Sequence, residues 1–281
     1  MMYVSSVELV KKALAGRYAV PAFNAENLEM VQAIILAAEE EKSPVIIQTT
    51  PPTVKYLTAD QAYAMVYAMA KNSPVPIALH LDHCPVFGDV MQAIRAGYSS
   101  VMFDGSNMSF EDNIAISRKV VETARPMGVT VEAELGTLGG KEDNLEECET
   151  IYTDPVQAQE FVEKTKVDML AVAIGTVHGF YKGEPKLDFD RIKKIAMLTE
   201  VPLVLHGGSG IPDESVKKAI SLGMCKVNFA TELRAAATKG VRRVLEDVDV
   251  IDPKKYMGQA RAEVAKLCKE KIRICSSVNK A

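Results

Sequence analysis

Eight short runs of β-branched and apolar residues lie in order along this chain, and longer stretches with helical spacing separate or follow them. The predicted strands are Tyr18 to Asn24, Val45 to Thr49, Ile77 to Asp82, Ser100 to Asp104, Thr130 to Leu135, Met169 to Gly175, Leu203 to Gly207 and Lys226 to Ala230. The predicted helices are Leu28 to Lys42, Ala59 to Lys71, Val86 to Ala96, Phe110 to Met127, Pro155 to Lys164, Asp190 to Leu198, Asp213 to Leu222 and Glu232 to Glu246. Pro44, Pro76 and Pro202 fall just before the second, third and seventh strands, where a missing N–H costs least. Eight β-then-α units in 281 residues read as one α/β domain spanning 1–281, a (β/α)8 TIM barrel. A pair of doubly wound domains is the alternative, but no linker divides the chain. Beyond Val250, a helical run from Gln259 to Ile274 reads as a C-terminal helical appendage on the barrel or on a neighbouring subunit, and a homodimer or homotetramer is expected.

Composition narrows the partners. The 33 basic residues are outnumbered by 37 acidic ones, so no global basic field exists to attract nucleic acid or an anionic membrane. An anionic ligand must be held locally. No apolar run approaches the ~18 residues of a membrane span, and the N-terminus lacks a basic start followed by an apolar signal core. The five cysteines contain no C-x-x-C pair, which argues against a disulfide framework or a zinc knuckle and for a reducing cytoplasm.

Barrels of this kind do chemistry at the C-terminal ends of their strands. There the chain carries Asn24, Thr49-Thr50, Asp82-His83, Asp104, Glu134, His178-Gly179, His206-Gly207-Gly208-Ser209 and Asn228. Of its four histidines, His83, His178 and His206 lie at or just beyond three different strand ends. Three imidazoles in one cleft would make an open catalytic zinc site; the bland alternative is three hydrogen-bonded strand caps. His80 lies mid-strand and reads as a satisfied buried histidine or a support for its neighbours. Asp82 suits a general acid/base beside a metal, or an orienting group for His83. Asp104 and Glu134 fit a second divalent position, or hydrogen-bonding support for the histidines. The glycine-rich turns Gly175 to Gly179 and His206 to Gly210, with Ser209 and the turn Asn228-Phe229-Ala230-Thr231, form a candidate phosphate cradle. The segment Gly139 to Thr153 is polar and acidic with a double-glycine entrance, as expected of a mobile loop.

Five blocks in this order, Tyr18 to Asn24 (YAVPAFN), His80 to His83 (HLDH), Val131 to Gly136 (VEAELG) with Gly139 to Asp143 (GGKED), Gly175 to Gly179 (GTVHG) and Leu203 to Gly208 (LVLHGG), resemble class II, zinc-dependent ketose-bisphosphate aldolases. The resemblance runs through to Ser276-Ser277-Val278-Asn279. It implies reversible cleavage of a ketohexose 1,6-bisphosphate, a phosphorylated ketose, to dihydroxyacetone phosphate and glyceraldehyde 3-phosphate. Carried over residue by residue, His83, His178 and His206 would hold Zn2+, and Asp82 would exchange the proton of the C4 hydroxyl. Glu142 would move the proton at the dihydroxyacetone carbon. Gly179, Gly207, Gly208, Ser209, Asn228, Phe229, Ala230 and Thr231 would bind that half's phosphate, with Na+ or K+ on nearby carbonyls. Asn24, Thr50 and Arg261 match positions for the sugar or its other phosphate, Arg261 reaching from a neighbouring subunit.

Chemistry agrees with the resemblance. Charge developing at the ketone and adjacent hydroxyl calls for a Lewis acid, whereas a Schiff-base aldolase needs a lysine at a strand end. The only strand lysine is Lys226, which the predicted boundaries put at the start of the eighth strand, the wrong end of the barrel. The segments AVAIGT, Thr50-Pro51 and NFATEL look like tagatose-bisphosphate aldolases, while HGGSG and Gly258 to Arg261 look like the shorter fructose-bisphosphate enzymes. Asn107 departs from the His that many members carry. Other readings are a family member acting on another phosphorylated sugar or sugar acid, as in inositol degradation, and a non-catalytic partner subunit.

Overall fold

A period of two along each strand sorts the side chains into two packed layers. One buried cluster gathers Val20, Ala22, Ile46, Ala78, Met169, Ala171 and Val204, all inside a barrel, with Leu9, Val10 and Ala13 of an N-terminal helix. The residues between them in sequence, such as Phe23, Ile47, Leu79, Leu170 and Leu205, belong to a larger cluster shared with the surrounding helices. Strands buried on both faces in this way are what a parallel barrel sheathed in helices requires. The computed structural model describes residues 2–140, 150–179, 181, 183 and 185–281.

The barrel strands are β1 (Val20–Asn24), β2 (Val45–Thr49), β3 (Ile77–Cys84), β4 (Ser100–Phe103), β5 (Thr130–Leu135), β7 (Met169–Val172), β9 (Leu203–Leu205) and β10 (Met224–Phe229). They close in the order β1-β10-β9-β7-β5-β4-β3-β2 with parallel pairing, β1 meeting β10 from Val20 beside Lys226 to Phe23 beside Phe229. Two further short strands, β6 (Gly139–Gly140) and β8 (Val177–His178), pair with each other above the barrel. The predicted (β/α)8 fold is thus observed, and β2 and β5 have their predicted limits. β10 begins two residues before the predicted start. That shift moves Lys226 from the strand's edge to its third position, inside the barrel.

Two helices were not foreseen. Helix α1 (Ser6–Gly16) closes the N-terminal end of the barrel, with Ser6 Oγ donating to Ser100 Oγ at 2.8 Å and Ser5 paired with Thr130. Helix α3 (Pro51–Leu57) follows β2; its two prolines occupy the first positions of the helix, where they are tolerated. The helix α2 (Leu28–Glu41) is capped by Asn27, whose side chain accepts from the Met30 N–H. Helices α4 (Ala59–Ala70), α5 (Phe87–Ala96), α6 (Phe110–Ala124), α7 (Pro155–Thr165), α8 (Phe189–Thr199) and α9 (Asp213–Ser221) follow in turn, and α10 (Thr231–Val244) and α11 (Pro253–Ile274) come last. The expected C-terminal appendage is α11, which starts at Pro253 rather than Gln259 because Asp252 caps it. It packs along α2 and α10, tied by Lys269–Glu40 and Arg273–Glu41 ion pairs. Among the described residues, no helix is long and apolar enough to cross a membrane.

Candidate active site

The same inward parity that fills the lower barrel with valine and alanine delivers polar groups near its mouth. Asn24, Gln48, His80, Asp82, Glu132, Glu134, His206, Lys226 and Asn228 are all buried. His83 breaks the parity. Between β3 and β4, Leu81 pairs with Val101 and Cys84 with Phe103, so β3 carries one extra residue, and His83 takes a left-handed φ of 48°. A bulge of this kind re-aims a side chain, and it lets both Asp82 and His83 serve one cleft.

His83, His178 and His206 each offer a nitrogen, and the three lie within 4.8 Å of one another. The rings of His83 and His206 are 4.4 Å apart by centroid, those of His83 and His178 4.8 Å. Two of the three are oriented by carboxylates. Glu132 Oε1 lies 2.8 Å from His206 Nε2, and Asp104 Oδ2 lies 3.0 Å from His83 Nδ1. An imidazole that donates from one nitrogen presents the lone pair of the other, the arrangement found around metal-ligating histidines. His206 Nδ1 is buried without a hydrogen-bond partner among the described residues. The residues therefore fit a metal ion held by three nitrogens with a position left open.

Glu134 Oε2 lies 3.3 Å from His206 Nδ1 and 3.6 Å from His83 Nδ1. With Asp104 and His83 it forms another group whose ligand atoms could meet one ion. Burial and the adjacent Asp104 carboxylate push the Glu134 carboxyl up. Burial works against ionisation of Asp104 too, but its hydrogen bond with His83 and the charge there hold it well below the usual carboxylate range. His206 is opposed by burial and by His83, yet the Glu132 and Glu134 carboxylates lift it to about 9.

Asp82 sits in a cage of donors. Gln48 Nε2 donates to Oδ2 at 2.8 Å, Asn228 Nδ2 approaches both oxygens at 3.2 and 3.3 Å, and Lys226 Nζ lies 3.9 Å from Oδ1. Burial would favour the neutral acid, but the charges of His83 and Lys226 overcome it and lower its pKa. Gln48 also donates to Asn24 Oδ1 at 2.7 Å, which links the predicted Asn24 to this cage. Lys226 is fully buried and paired with Glu132 at 2.8 Å, so the sequence placement at the far end of the barrel is corrected.

Part of the set expected to form a phosphate cradle comes together in one place. One cleft is lined by His83, His178, Gly179, Gly207, Ser209, Asn228, Ala230 and Thr231. Ser209 Oγ is buried with no hydrogen-bond partner among the described residues, and helix α10 opens at Thr231 behind Ala230, which has no side chain able to cap it. Such an end attracts anions. Gly207 has φ +67°, and a Cβ there would meet the Val177 carbonyl oxygen at 2.3 Å. Gly208 differs from its neighbours: its N–H donates to the Asn228 carbonyl at 3.0 Å, so it holds the turn. Phe229 faces outward, stacked on Phe23.

Some predicted residues are not brought to the cleft. Thr50 stands at the N-cap position of α3 without a side-chain capping bond, its hydroxyl 3.2 Å from Thr53 Oγ1. Arg261 lies on α11, exposed, donating to Gln32 at 2.9 Å. Glu142 lies outside the described residues. Sequence reasoning missed Glu132, Gln48, Lys226 as an interior group, and Tyr181, whose hydroxyl donates to the Gly207 carbonyl at 2.9 Å while accepting from the Val177 N–H at 3.2 Å. The first three share the even parity of Asp82 and Asn228, a signal that was present.

A closed parallel barrel whose mouth gathers three histidines, a caged aspartate and a helix start with no side-chain cap has the form of a metal-dependent TIM-barrel enzyme. The model of the family "Fructose-bisphosphate aldolase class-II" matches residues 4–280. The chain is 47% identical to a fructose-bisphosphate aldolase of Geobacillus stearothermophilus, covering 100% of this chain and 99% of that protein, and 46% identical to one of Staphylococcus epidermidis, covering 100% of both. Among solved structures, the YdjI aldolase of Escherichia coli K12 superposes with a TM-score of 0.90 at 38% identity, covering 100% of both chains. The chain belongs to the class II fructose-bisphosphate aldolase family.

Proposed function

We propose that this chain catalyses the reversible aldol cleavage of a ketose 1,6-bisphosphate, fructose 1,6-bisphosphate first among them, to dihydroxyacetone phosphate and glyceraldehyde 3-phosphate. The observation that carries the reading is the convergence of three histidine nitrogens within 4.8 Å beside a buried, caged Asp82. His83, His178 and His206 would hold zinc, which supplies Lewis acidity at the ketone and neighbouring hydroxyl oxygens of the substrate. Asp82 takes the C4 hydroxyl proton as the C3–C4 bond breaks, and its donor cage keeps it ionised for that task. Glu142 returns a proton to C3 of the dihydroxyacetone half, an assignment that rests on the family resemblance. Ser209, Gly179, Gly207 and the start of α10 hold that half's phosphate, and a monovalent cation on nearby carbonyls would suit the same place. Asp104 and Glu134 support His83 and His206 and could share a second ion. Four buried free cysteines among the described residues suit a reducing cytoplasm. Arg261, exposed on α11 and bonded to Gln32, suits a homodimer or homotetramer in which it serves a neighbour.

The test is cleavage of fructose 1,6-bisphosphate and tagatose 1,6-bisphosphate by the purified chain, before and after a chelator and zinc readdition. Chelator-sensitive, zinc-restored turnover is expected, and the ratio of the two rates assigns the preferred epimer. Silence on both, with zinc bound, would redirect the reading to another phosphorylated sugar or to a partner-dependent subunit.

A further inference from the structure

Beneath the three histidines lies a charged layer of which the proposed reaction uses only the charge that Lys226 sets near Asp82. Lys226, fully buried on β10, reaches across the barrel interior to β5, where its Nζ donates to Glu132 Oε2 at 2.8 Å. The two oxygens of Glu132 divide their work: Oε2 takes the lysine, and Oε1 accepts from His206 Nε2 at 2.8 Å. His80 Nε2 stands 3.5 Å from the same Oε2, its ring fixed on the other side by a 2.7 Å contact between Nδ1 and Ser100 Oγ.

We infer that Lys226 is a positioning residue for the metal-facing nitrogen of His206, acting through Glu132. The inference rests on the reading that His206 is a metal ligand. A carboxylate can rotate about its last torsion, and only one orientation leaves Oε1 in line with His206 Nε2. The ammonium on Oε2 fixes that orientation, and it supplies a positive charge beside a carboxylate sealed from water. Stability alone gives a weak reason for such a pair, since a buried ion pair is often no better than apolar residues of the same volume. Valine and alanine fill the inward positions just below, at Val204 and Ala171, so the layer could have been apolar. A lysine here is accounted for by what Glu132 must do for His206. Its Nζ is also 3.9 Å from Asp82 Oδ1, too far for a hydrogen bond, so the direct partner is Glu132.

The experiment measures zinc affinity by competition with a chromogenic chelator, and the visible absorption of the Co2+-loaded protein, which reports the ligand set directly. Four variants are compared: His206→Ala, Lys226→Met, Glu132→Gln and the double variant Glu132→Gln with Lys226→Met. Lys226→Met is expected to weaken zinc binding by roughly 10- to 100-fold, the range seen when an outer partner of a metal ligand is removed, and to shift the Co2+ bands. In the Glu132→Gln background the same change is expected to add less than about twofold, because two residues acting through one contact are not additive. Wild-type zinc affinity and bands in Lys226→Met would overturn the inference, as would losses that multiply in the double variant. Should Lys226→Met fail to fold, the comparison of Glu132→Gln with the double variant decides: equal affinity supports the inference and a further loss of about tenfold sinks it. Undiminished zinc binding in His206→Ala would instead overturn the metal reading on which it rests.

Discussion

Asp82 and His83 are neighbours in one strand, yet both serve the same cleft, because β3 bulges between Leu81 and Cys84 and His83 turns to a φ of 48°. A regular strand would have sent one of them outward into the helix layer. The bulge thus sets a buried carboxylate directly beside a candidate metal ligand, and the oxygens of Asp82 are engaged by Gln48, Asn228 and the Lys226 charge.

That division of labour predicts the behaviour of Asp82→Ala. The three histidines remain, so the variant is expected to retain about one zinc per chain, while turnover falls by roughly 10²- to 10⁴-fold, the usual worth of a general acid/base. Elemental analysis of the purified variant beside steady-state rates checks both halves. Zinc loss on this change would make Asp82 a support of the metal rather than the proton carrier.

Ser209→Ala tests the phosphate end of the cleft. The hydroxyl is buried and lacks a partner among the described residues, which is wasteful unless an anion arrives to use it. Its removal is expected to raise KM for the bisphosphate and to weaken competitive inhibition by a dihydroxyacetone phosphate analogue. A hydrogen bond to a charged group is worth about 1.5–3 kcal/mol, so the change is roughly 10- to 150-fold. An unchanged KM would remove Ser209 from the cradle.

Much of this arrangement was legible in the sequence, for a physical reason. Parallel barrel strands are short, apolar and bounded by turns, so the runs at Val45–Thr49 and Thr130–Leu135 stood out with their true limits. The mouth was legible because polar residues ending apolar runs are costly to bury without use. What escaped depended on geometry in three dimensions. No helix was expected at Pro51 and Pro52, yet they begin one, because proline is tolerated at the first positions of a helix. His83 needed a bulge to reach the cleft, and no local spacing announces one. Lys226 was judged from a strand boundary two residues late, which hid that it shares inward parity with Asn228 and lies opposite Glu132.

The pairing of Gly140 with His178 yields a prediction about backbone rather than chemistry. Gly140 has φ +91°, and a Cβ there would stand 2.4 Å from the His178 carbonyl oxygen. Gly140→Ala must therefore push the β8 strand away and carry the His178 ring with it. Zinc affinity is expected to fall by at least about tenfold, with the barrel's circular dichroism unchanged, since β6 and β8 stand outside the closed sheet. Wild-type affinity in this variant would mean that His178 tolerates displacement and is not held in register by Gly140.

Tyr181 joins the two turns on which the candidate site depends. Its hydroxyl accepts from the Val177 N–H at 3.2 Å and donates to the Gly207 carbonyl at 2.9 Å, so one side chain ties the residue before His178 to the residue after His206. The ring is half-buried against the core, and burial raises its hydroxyl to about 12, so it stays protonated and able to donate at every working pH. Tyr181→Phe keeps the ring and deletes both bonds. At about 1 kcal/mol each, their loss corresponds to roughly 30-fold in kcat/KM when both turns must be fixed in the transition state. The melting temperature is expected to move little, because the bonds lie outside the barrel sheet and its helix layer. Measuring kcat/KM and Tm on the same preparation separates the two: a large fall in Tm with kcat/KM intact would make Tyr181 a stabilising contact with no part in ordering the cleft.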